Sequence, residues 1–154
     1  MSDQTARRSG LRQKQALLST IKADLSIDLS SMAGSLPREI RQVMACIEEH
    51  LFDPSLNVNL IRKECGISDN NLSTRFRTAM GIGPHRYIES LRMAAAGRLL
   101  SAVRTEIYFV GIAVGYQHPE TFCRAFHRHF GHPPSAHRSF QPLGEADTRG
   151  SARS

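Results

Sequence analysis

The chain has 154 residues and a mass of 17.1 kDa, which suits one compact domain with tails. It carries 20 Lys and Arg against 14 Asp and Glu, a net charge of +6, and this balance favours an anionic partner such as nucleic acid or an acidic membrane surface. No run of about 18 apolar residues and no apolar amino-terminal segment is present, so we expect neither a membrane-spanning helix nor a secretory signal.

The two ends of the chain differ in composition from its middle. Residues 1–36 are rich in Ser, Gln and small side chains, and we expect a flexible or partly helical tail there. The stretch from Leu11 to Leu25 is compatible with a helix, which is either a fraying helix or the remnant of a linker to a missing domain. Residues 141–154 hold Gly, Ser, Pro and Arg and are predicted to be disordered.

Residues 37–140 are predicted to form one helical domain, because apolar residues recur there at helical spacing and no alternating run indicates a strand. A first helix from Pro37 ends at Asp53-Pro54, and a short helix follows from about residue 58. Ser68 is predicted to be the N-cap of the next helix, which ends at about residue 80. A long helix spans about 84–101, and a second pair of helices is predicted over about 107–130.

An internal repeat relates the two halves of this domain. Each unit consists of a short helix, a turn at a glycine, and a longer helix with two apolar anchors four residues apart, which is the layout of a helix-turn-helix. The sequence therefore predicts an all-α fold of about seven helices, in which a long linker helix joins a first helix-turn-helix (about 58–80) to a second (about 107–130). The repeated pairs are Gly66/Gly115 at an offset of 49, and Leu72/Phe122, Phe76/Phe126, Gly81/Gly131 and Pro84/Pro134 at an offset of 50.

The polar residues opposite the apolar anchors are the candidate contacts to double-stranded DNA. A second helix whose anchors face the domain leaves its other face free to enter the major groove. Backbone amides near the start of each such helix, at Ser68 and His118, are candidate phosphate contacts. The remaining candidates are Asn70, Ser73, Thr74 and Arg77 in the first unit and Glu120, Cys123, Arg124 and His127 in the second.

Two arginines of the second unit have different predicted roles. Arg124 is the favoured base reader, since an arginine that contacts guanine is the commonest specific contact in protein–DNA complexes. The alternative for Arg124 is an ion pair with Glu120, four residues earlier on the same helix. Arg128 lies one turn further from the helix start and is expected to contact phosphate.

Residues 115–138, GYQHPETFCRAFHRHFGHPPSAHR, resemble the second helix-turn-helix signature of the AraC/XylS family of bacterial transcription regulators. The resemblance extends through the first unit and the joining helix, from Pro37 to Arg138. The matching residues of the second signature are Gly115, Tyr116, Phe122, Arg124, Phe126, Gly131 and Pro134.

This resemblance implies a sequence-specific DNA-binding regulator with promoter DNA as its partner and, usually, transcription activation through contact with RNA polymerase. It implies two helix-turn-helix units joined by a rigid helix, in a cytoplasmic protein associated with the bacterial nucleoid. Two different recognition faces in one chain predict that it binds DNA as a monomer, on a bipartite site without two-fold symmetry. We expect no cofactor.

Several positions depart from the family pattern. Arg62 stands where a small residue usually packs, whereas its counterpart Gly111 is small. Thr74 stands where the family often has an arginine, and His137 replaces the usual tyrosine. Tyr108 and Phe109 occupy positions that are usually polar, and they are either a partner-binding patch or a cap on the core.

Two other function classes are set against DNA-binding regulation. An interaction module that has lost specific DNA binding would fit Arg62 and Thr74. An enzyme such as an alkyl acceptor of DNA repair would need an activated cysteine, and the three cysteines lack CxxC or zinc spacing and are interpreted as reduced thiols. Seven histidines fall within 37–140, but His127 and His129 point in opposite directions on a helix, so we expect no metal site and no enzymatic activity.

Overall fold

The computed structural model describes residues 12, 15–24, 31–32, 34–102 and 106–140, and these residues form helices and turns with no strand among them. This confirms the prediction of an all-α fold with two helix-turn-helix units, α3–α4 and α6–α7, joined by the long helix α5. The helices are α1 (15–24), α2 (Arg38–His50), α3 (Val58–Glu64), α4 (Leu72–Met80), α5 (Pro84–Ala102), α6 (Ile107–Ala113), α7 (Pro119–Phe130) and α8 (Pro134–Phe140).

The described part of the amino-terminal segment packs on the domain through α1. Ile21 is only 3% exposed and belongs to the same apolar core as α2 and α5. The Lys22 ammonium donates a hydrogen bond to the Glu49 carbonyl at 2.9 Å, and Arg98 pairs with Asp24 at 3.3 Å. The segment therefore contributes one core side chain. Outside the described residues lie positions 11, 13–14 and 25 of the predicted amino-terminal helix, and the carboxy-terminal tail 141–154 that was predicted to be disordered.

The turn of each helix-turn-helix depends on a glycine in the left-handed backbone region. Gly66 has φ of +67° and Gly115 has φ of +102°, a conformation that side chains with a Cβ rarely adopt. The α3 helix before the first turn is capped by Asn57, whose side-chain oxygen accepts a hydrogen bond from the Leu60 amide at 2.9 Å. The two turns are therefore specified locally.

The predicted N-cap at Ser68 is wrong, because α4 begins at Leu72. The Asp69 carboxylate accepts a hydrogen bond from the Asn71 amide at 2.8 Å, which closes a side-chain turn at the place where the first helical turn was expected. The turn of the first unit is therefore longer than predicted, and Ser68 and Asn70 lie in this turn and not on the recognition helix.

Helix α5 carries the core from one unit to the other. Its first half packs on the first unit, where the rings of Tyr87 and Phe76 meet edge to face at 5.4 Å between centroids. Its second half packs on the second unit, where a Cβ added at Gly97 would lie 3.2 Å from the Phe130 ring. Ten residues of this helix are buried. No helix within the described ranges is long and apolar enough to cross a membrane.

The two units fill the space between their helices differently. In the second unit the Phe122 ring lies against Gly111, where an added Cβ would be only 3.0 Å from the ring. In the first unit the anchor Leu72 is smaller, and Arg62 takes the place of the small residue. Its guanidinium reaches the turn and donates a hydrogen bond to the Ser68 carbonyl at 2.8 Å. Arg62 therefore joins α3 to the turn instead of disrupting the unit.

Candidate nucleic-acid interface

The recognition helix of the first unit, α4, presents a polar face opposite two buried anchors. Leu72 and Phe76 are completely buried, whereas Ser73, Thr74 and Arg77 are exposed. Arg77 forms no hydrogen bond or ion pair within the described residues, so its guanidinium faces solvent without a partner. Three of the predicted contacts therefore lie together on one exposed helix face.

Arg75 holds the start of α4 to the rest of the domain. Its Nε and Nη2 donate to the Glu39 carboxylate on α2 at 2.8 and 2.6 Å, and its Nη1 donates to Asp69 at 2.9 Å. The hydrogen bond from Arg75 lowers the pKa of Asp69, and the two carboxylates raise the pKa of Arg75. Arg75 is therefore neutralised by two carboxylates and is poorly placed to neutralise phosphate.

The recognition helix of the second unit, α7, shows the same division between a buried and an exposed face. Phe122 and Phe126 are completely buried, while Glu120, Arg124 and His127 are exposed. Cys123, which the helical pattern placed toward the groove, is half-buried and packs against the core.

The side chain of Arg124 has no partner within the described part of the chain. The ion pair with Glu120 that was the alternative for Arg124 is not formed, although the two residues are four apart on the same helix. An exposed, unpaired guanidinium on the outer face of a recognition helix has its five donors available for a base edge or a phosphate. The geometry therefore supports Arg124 as a DNA contact and leaves the type of contact open.

Arg128 lies on the same helix but is paired. Its Nε and Nη2 donate to Glu89 Oε1 at 3.2 and 2.8 Å, and Nη2 also donates to Oε2 at 2.9 Å. This hydrogen bonding raises the pKa of Arg128. Because Glu89 is on α5, the pair connects the recognition helix to the linker helix, a connection that the helical pattern does not predict.

The starts of the two recognition helices differ in their capping, and α7 carries the acidic Glu120 in its first turn. His118 has an extended backbone and provides no side-chain cap, and Pro119 occupies the first helical turn. The partial positive charge of a helix start attracts phosphate oxygens when no side-chain carboxylate occupies it. Near the start of α4 the Asp69 carboxylate accepts the Asn71 amide, which works against an anion there.

Three residues that were not predicted to belong to the site share a cleft with Arg128 between the two units. Together the four line a cleft of about 410 Å³ between α3, α5 and α7. One signal in the sequence could have drawn attention to Glu89, because it is related by the repeat offset of 50 to Glu39, the equally unpredicted partner of Arg75. We call the group of four the junction, and it consists of Glu89, Arg92, Tyr116 and Arg128.

The histidines and cysteines differ in burial, and His137 and Cys46 are the buried ones. His137 is 4% exposed, and its ring lies 5.3 Å from that of Phe126 and 5.2 Å from that of His132. Burial, followed by the nearby Cys65, raises the pKa of Cys46 to about 11, which disfavours the reactive thiolate. Among the described residues no three of His, Cys, Asp and Glu are grouped to hold a metal ion.

An apolar patch is exposed on α6, on the side away from the recognition helix. Tyr108 is 47% exposed, Phe109 49% and Ile112 44%, and the two aromatic rings touch edge to face at 5.6 Å. The buried residues Val110 and Gly111 lie on the opposite face of the helix. Tyr108 and Phe109 therefore do not cap the core, which was one of their two interpretations.

Two helix-turn-helix units, each with an exposed polar face on its second helix, define a double helix-turn-helix domain of the DNA-binding class. Residues 61–139 match a helix-turn-helix domain family. The regulatory protein SoxS of Escherichia coli is 32% identical over 99 residues, which cover 64% of this chain and 92% of SoxS. The chain belongs to the AraC/XylS family.

Two further relatives show how far the likeness extends. The transcriptional regulator GbdR of Pseudomonas aeruginosa is 26% identical over 119 residues, 77% of this chain, and the chain spans only 32% of the length of GbdR. The DNA-binding domain of the global transcriptional factor AdpA, solved in complex with a target DNA, superposes with a TM-score of 0.61 at 25% identity and covers 67% of this chain and 92% of that domain. The likeness to GbdR therefore covers about a third of that protein, and the likeness to AdpA covers its DNA-binding domain.

Proposed function

We propose that this chain is a sequence-specific DNA-binding transcription regulator that reads double-stranded promoter DNA with α4 and α7. The observation that carries the proposal is a pair of guanidiniums, Arg77 and Arg124, that have no partner among the described residues and lie on the exposed faces of the two recognition helices. SoxS, a regulatory protein, is matched over 92% of its length, and the structure of the AdpA domain contains a target DNA. These two relatives support the same partner for this chain.

The proposed interface consists of the exposed polar residues of the two units. In each unit the recognition helix enters the major groove with its outer face, and the turn before it meets the backbone. We assign Arg124 to a base edge and the start of α7 at His118 to a phosphate. The other proposed contacts are the exposed Ser68, Asn70, Ser73, Thr74, Arg77, Glu120 and His127, with the half-buried Cys123 at the edge of this face.

Two different recognition helices in one chain call for an asymmetric, bipartite site bound by a monomer. Helix α5 has 19 residues, which at roughly 1.5 Å each makes it about 28 Å long. That length is comparable with the roughly 34 Å that separates successive major-groove segments on one face of the duplex. The two half-sites are therefore proposed to lie about one helical turn apart.

Selection from random double-stranded DNA followed by footprinting tests this function. We expect an enriched asymmetric sequence with two protected segments about 10 bp apart, bound by one chain per duplex in a salt-dependent manner. A strict inverted repeat bound only by two chains would contradict the bipartite monomer. The absence of any enriched sequence, with a folded chain, would favour an interaction module that has lost specific DNA binding.

We further propose RNA polymerase as the protein partner and activation as the output, with the exposed α6 patch as the contact surface. The patch faces away from the helix that enters DNA, so it stays accessible in the complex. In an in vitro transcription assay, Tyr108→Ser should reduce activated transcription and leave DNA affinity unchanged. Equal activation by the wild type and Tyr108→Ser would exclude this surface.

With promoter DNA as its partner, the protein is proposed to act at the bacterial nucleoid in the cytoplasm.

A further inference from the structure

The junction between the two units is built from opposite charges and closely packed groups. The Glu89 side chain is only 16% exposed, although its partner Arg128 is 65% exposed. The pKa of Tyr116 is raised to about 12 by burial and by the nearby Glu89, which places the phenol beside the same carboxylate. Glu89 is thus a mostly buried acceptor between α5 and α7.

Arg92 connects the junction to the end of α2. Its Nε donates to the Leu51 carbonyl at 2.8 Å and its Nη2 to the Asp53 carbonyl at 2.7 Å, both at the end of α2. Its guanidinium lies 5.6 Å from the centre of the Tyr116 ring, and a Cβ added at Gly115 would be 2.9 Å from it. One side chain therefore touches the end of α2 and the turn of the second unit.

The repeat shows that each recognition helix is tied by an equivalent glutamate but at a different point along its length. Glu39 and Glu89 correspond at the offset of 50, on α2 and α5. Glu39 binds Arg75, three residues after the anchor Leu72, whereas Glu89 binds Arg128, six residues after the equivalent anchor Phe122. The first helix is therefore fixed near its start and the second near its end.

We propose that the Glu89–Arg128 pair, together with Arg92 and Tyr116 of the junction, sets the angle of α7 relative to α4. This angle determines the half-site spacing that the chain accepts. Glu89 and Arg128 are positioning residues in this role, and neither needs to touch a base. The part of this inference that concerns DNA spacing rests on the proposed function. The part that concerns the angle between the helices does not.

The first test measures DNA binding as a function of spacing. The selected half-sites are placed at the preferred separation and at one and two base pairs more or less, and affinities are compared for the wild type, Glu89→Gln and the charge-swapped double variant Glu89→Arg/Arg128→Glu. We expect Glu89→Gln to lose about three- to fivefold at the preferred spacing and much less elsewhere, so that the spacing profile flattens. The double variant should recover the sharp profile.

A phosphate contact by Arg128 predicts the opposite pattern. Removing the Glu89 carboxylate would then free the Arg128 cation, so Glu89→Gln would bind DNA of every spacing and random DNA more tightly. The double variant would bind DNA weakly, because it lacks the cation at position 128. That result, or a uniform loss with an unchanged profile, overturns the positioning role. The matched control is Asp24→Asn, which breaks the Arg98 ion pair on the outside of α5 and should leave the profile unchanged.

The second test needs no DNA. Spin labels at Ser73→Cys and His127→Cys, in a chain whose native cysteines are replaced and whose helical circular dichroism is retained, report the distance between the recognition helices. We expect one narrow distribution in the parent and in Asp24→Asn, and a broadened one in Glu89→Gln. An unchanged distance distribution in Glu89→Gln overturns the inference even if DNA binding is confirmed. If the chain selects no DNA sequence, the proposed function is refuted, and the distance measurement still decides the role of the Glu89–Arg128 pair.

Discussion

Replacing Phe126 by alanine should remove the largest single contribution of α7 to folding stability. The ring is completely buried and lies 4.4 Å from the ring centre of Phe130, 5.3 Å from that of His137 and 5.8 Å from that of Phe122. Because two of these neighbours are fixed on α7 itself and the third lies on α8, they cannot all close the space that the ring leaves. A Phe→Ala change of this kind costs roughly 3–5 kcal/mol, out of about 5–15 kcal/mol for a whole domain.

Urea and thermal unfolding followed by circular dichroism measure this loss. In a domain of about 100 residues each kcal/mol shifts the melting temperature by about 4–8 °C, so Phe126→Ala should lower it by about 12 °C or more. Phe109→Ala is the matched control, because Phe109 is 49% exposed on α6 and its removal should cost under about 0.5 kcal/mol. Equal losses in the two variants would refute the burial of Phe126. In that case α7 would be rotated, and Arg124 would not face outward.

Three further predictions concern a contact, a boundary and a titration. Arg124→Ala should weaken binding to the selected site by roughly 1–3 kcal/mol and relax preference at one base pair; an unchanged preference in a single-base substitution series would exclude base readout. A chain of residues 37–140 should keep the DNA site preference of the whole chain. Its unfolding midpoint in urea should fall because Ile21 is lost from the core, and an equal midpoint would show that α1 adds nothing to folding stability. Burial, reinforced by His132, lowers the pKa of His137, so the unfolded chain takes up this proton more readily and stability should be lost as the pH falls below about 6.5. His137→Tyr should flatten that pH dependence of the melting temperature, and an unchanged slope would assign the titration to another group.

The order of the helices from α2 to α7 could be predicted from the sequence because it depends on local information, whereas α8 was not predicted. Apolar residues at helical spacing, the glycines at 66 and 115 and the anchors at an offset of 50 act over a few residues each, and they specify the two units and the helix between them. The exposed faces of α4 and α7 followed from the same spacing, because a buried anchor fixes the direction of its neighbours on a helix. The start of α4 was predicted too early, at Ser68. Serine and aspartate favour both helix N-caps and side-chain turns, and here Asp69 forms a turn.

What the sequence could not decide is which of the charged side chains have partners. Arg124 and Arg128 lie one turn apart on the same helix, and helical spacing offers a carboxylate, Glu120, to Arg124 alone. The structure has the reverse: Arg124 is unpaired among the described residues, while Arg128 is bound by a carboxylate 39 residues away. That difference depends on the packing of α7 across α5, which brings Glu89 beneath one arginine and leaves the other in solvent. Side-chain pairing between distant elements is decided by the distances that the packed helices impose, and only the tertiary structure contains them.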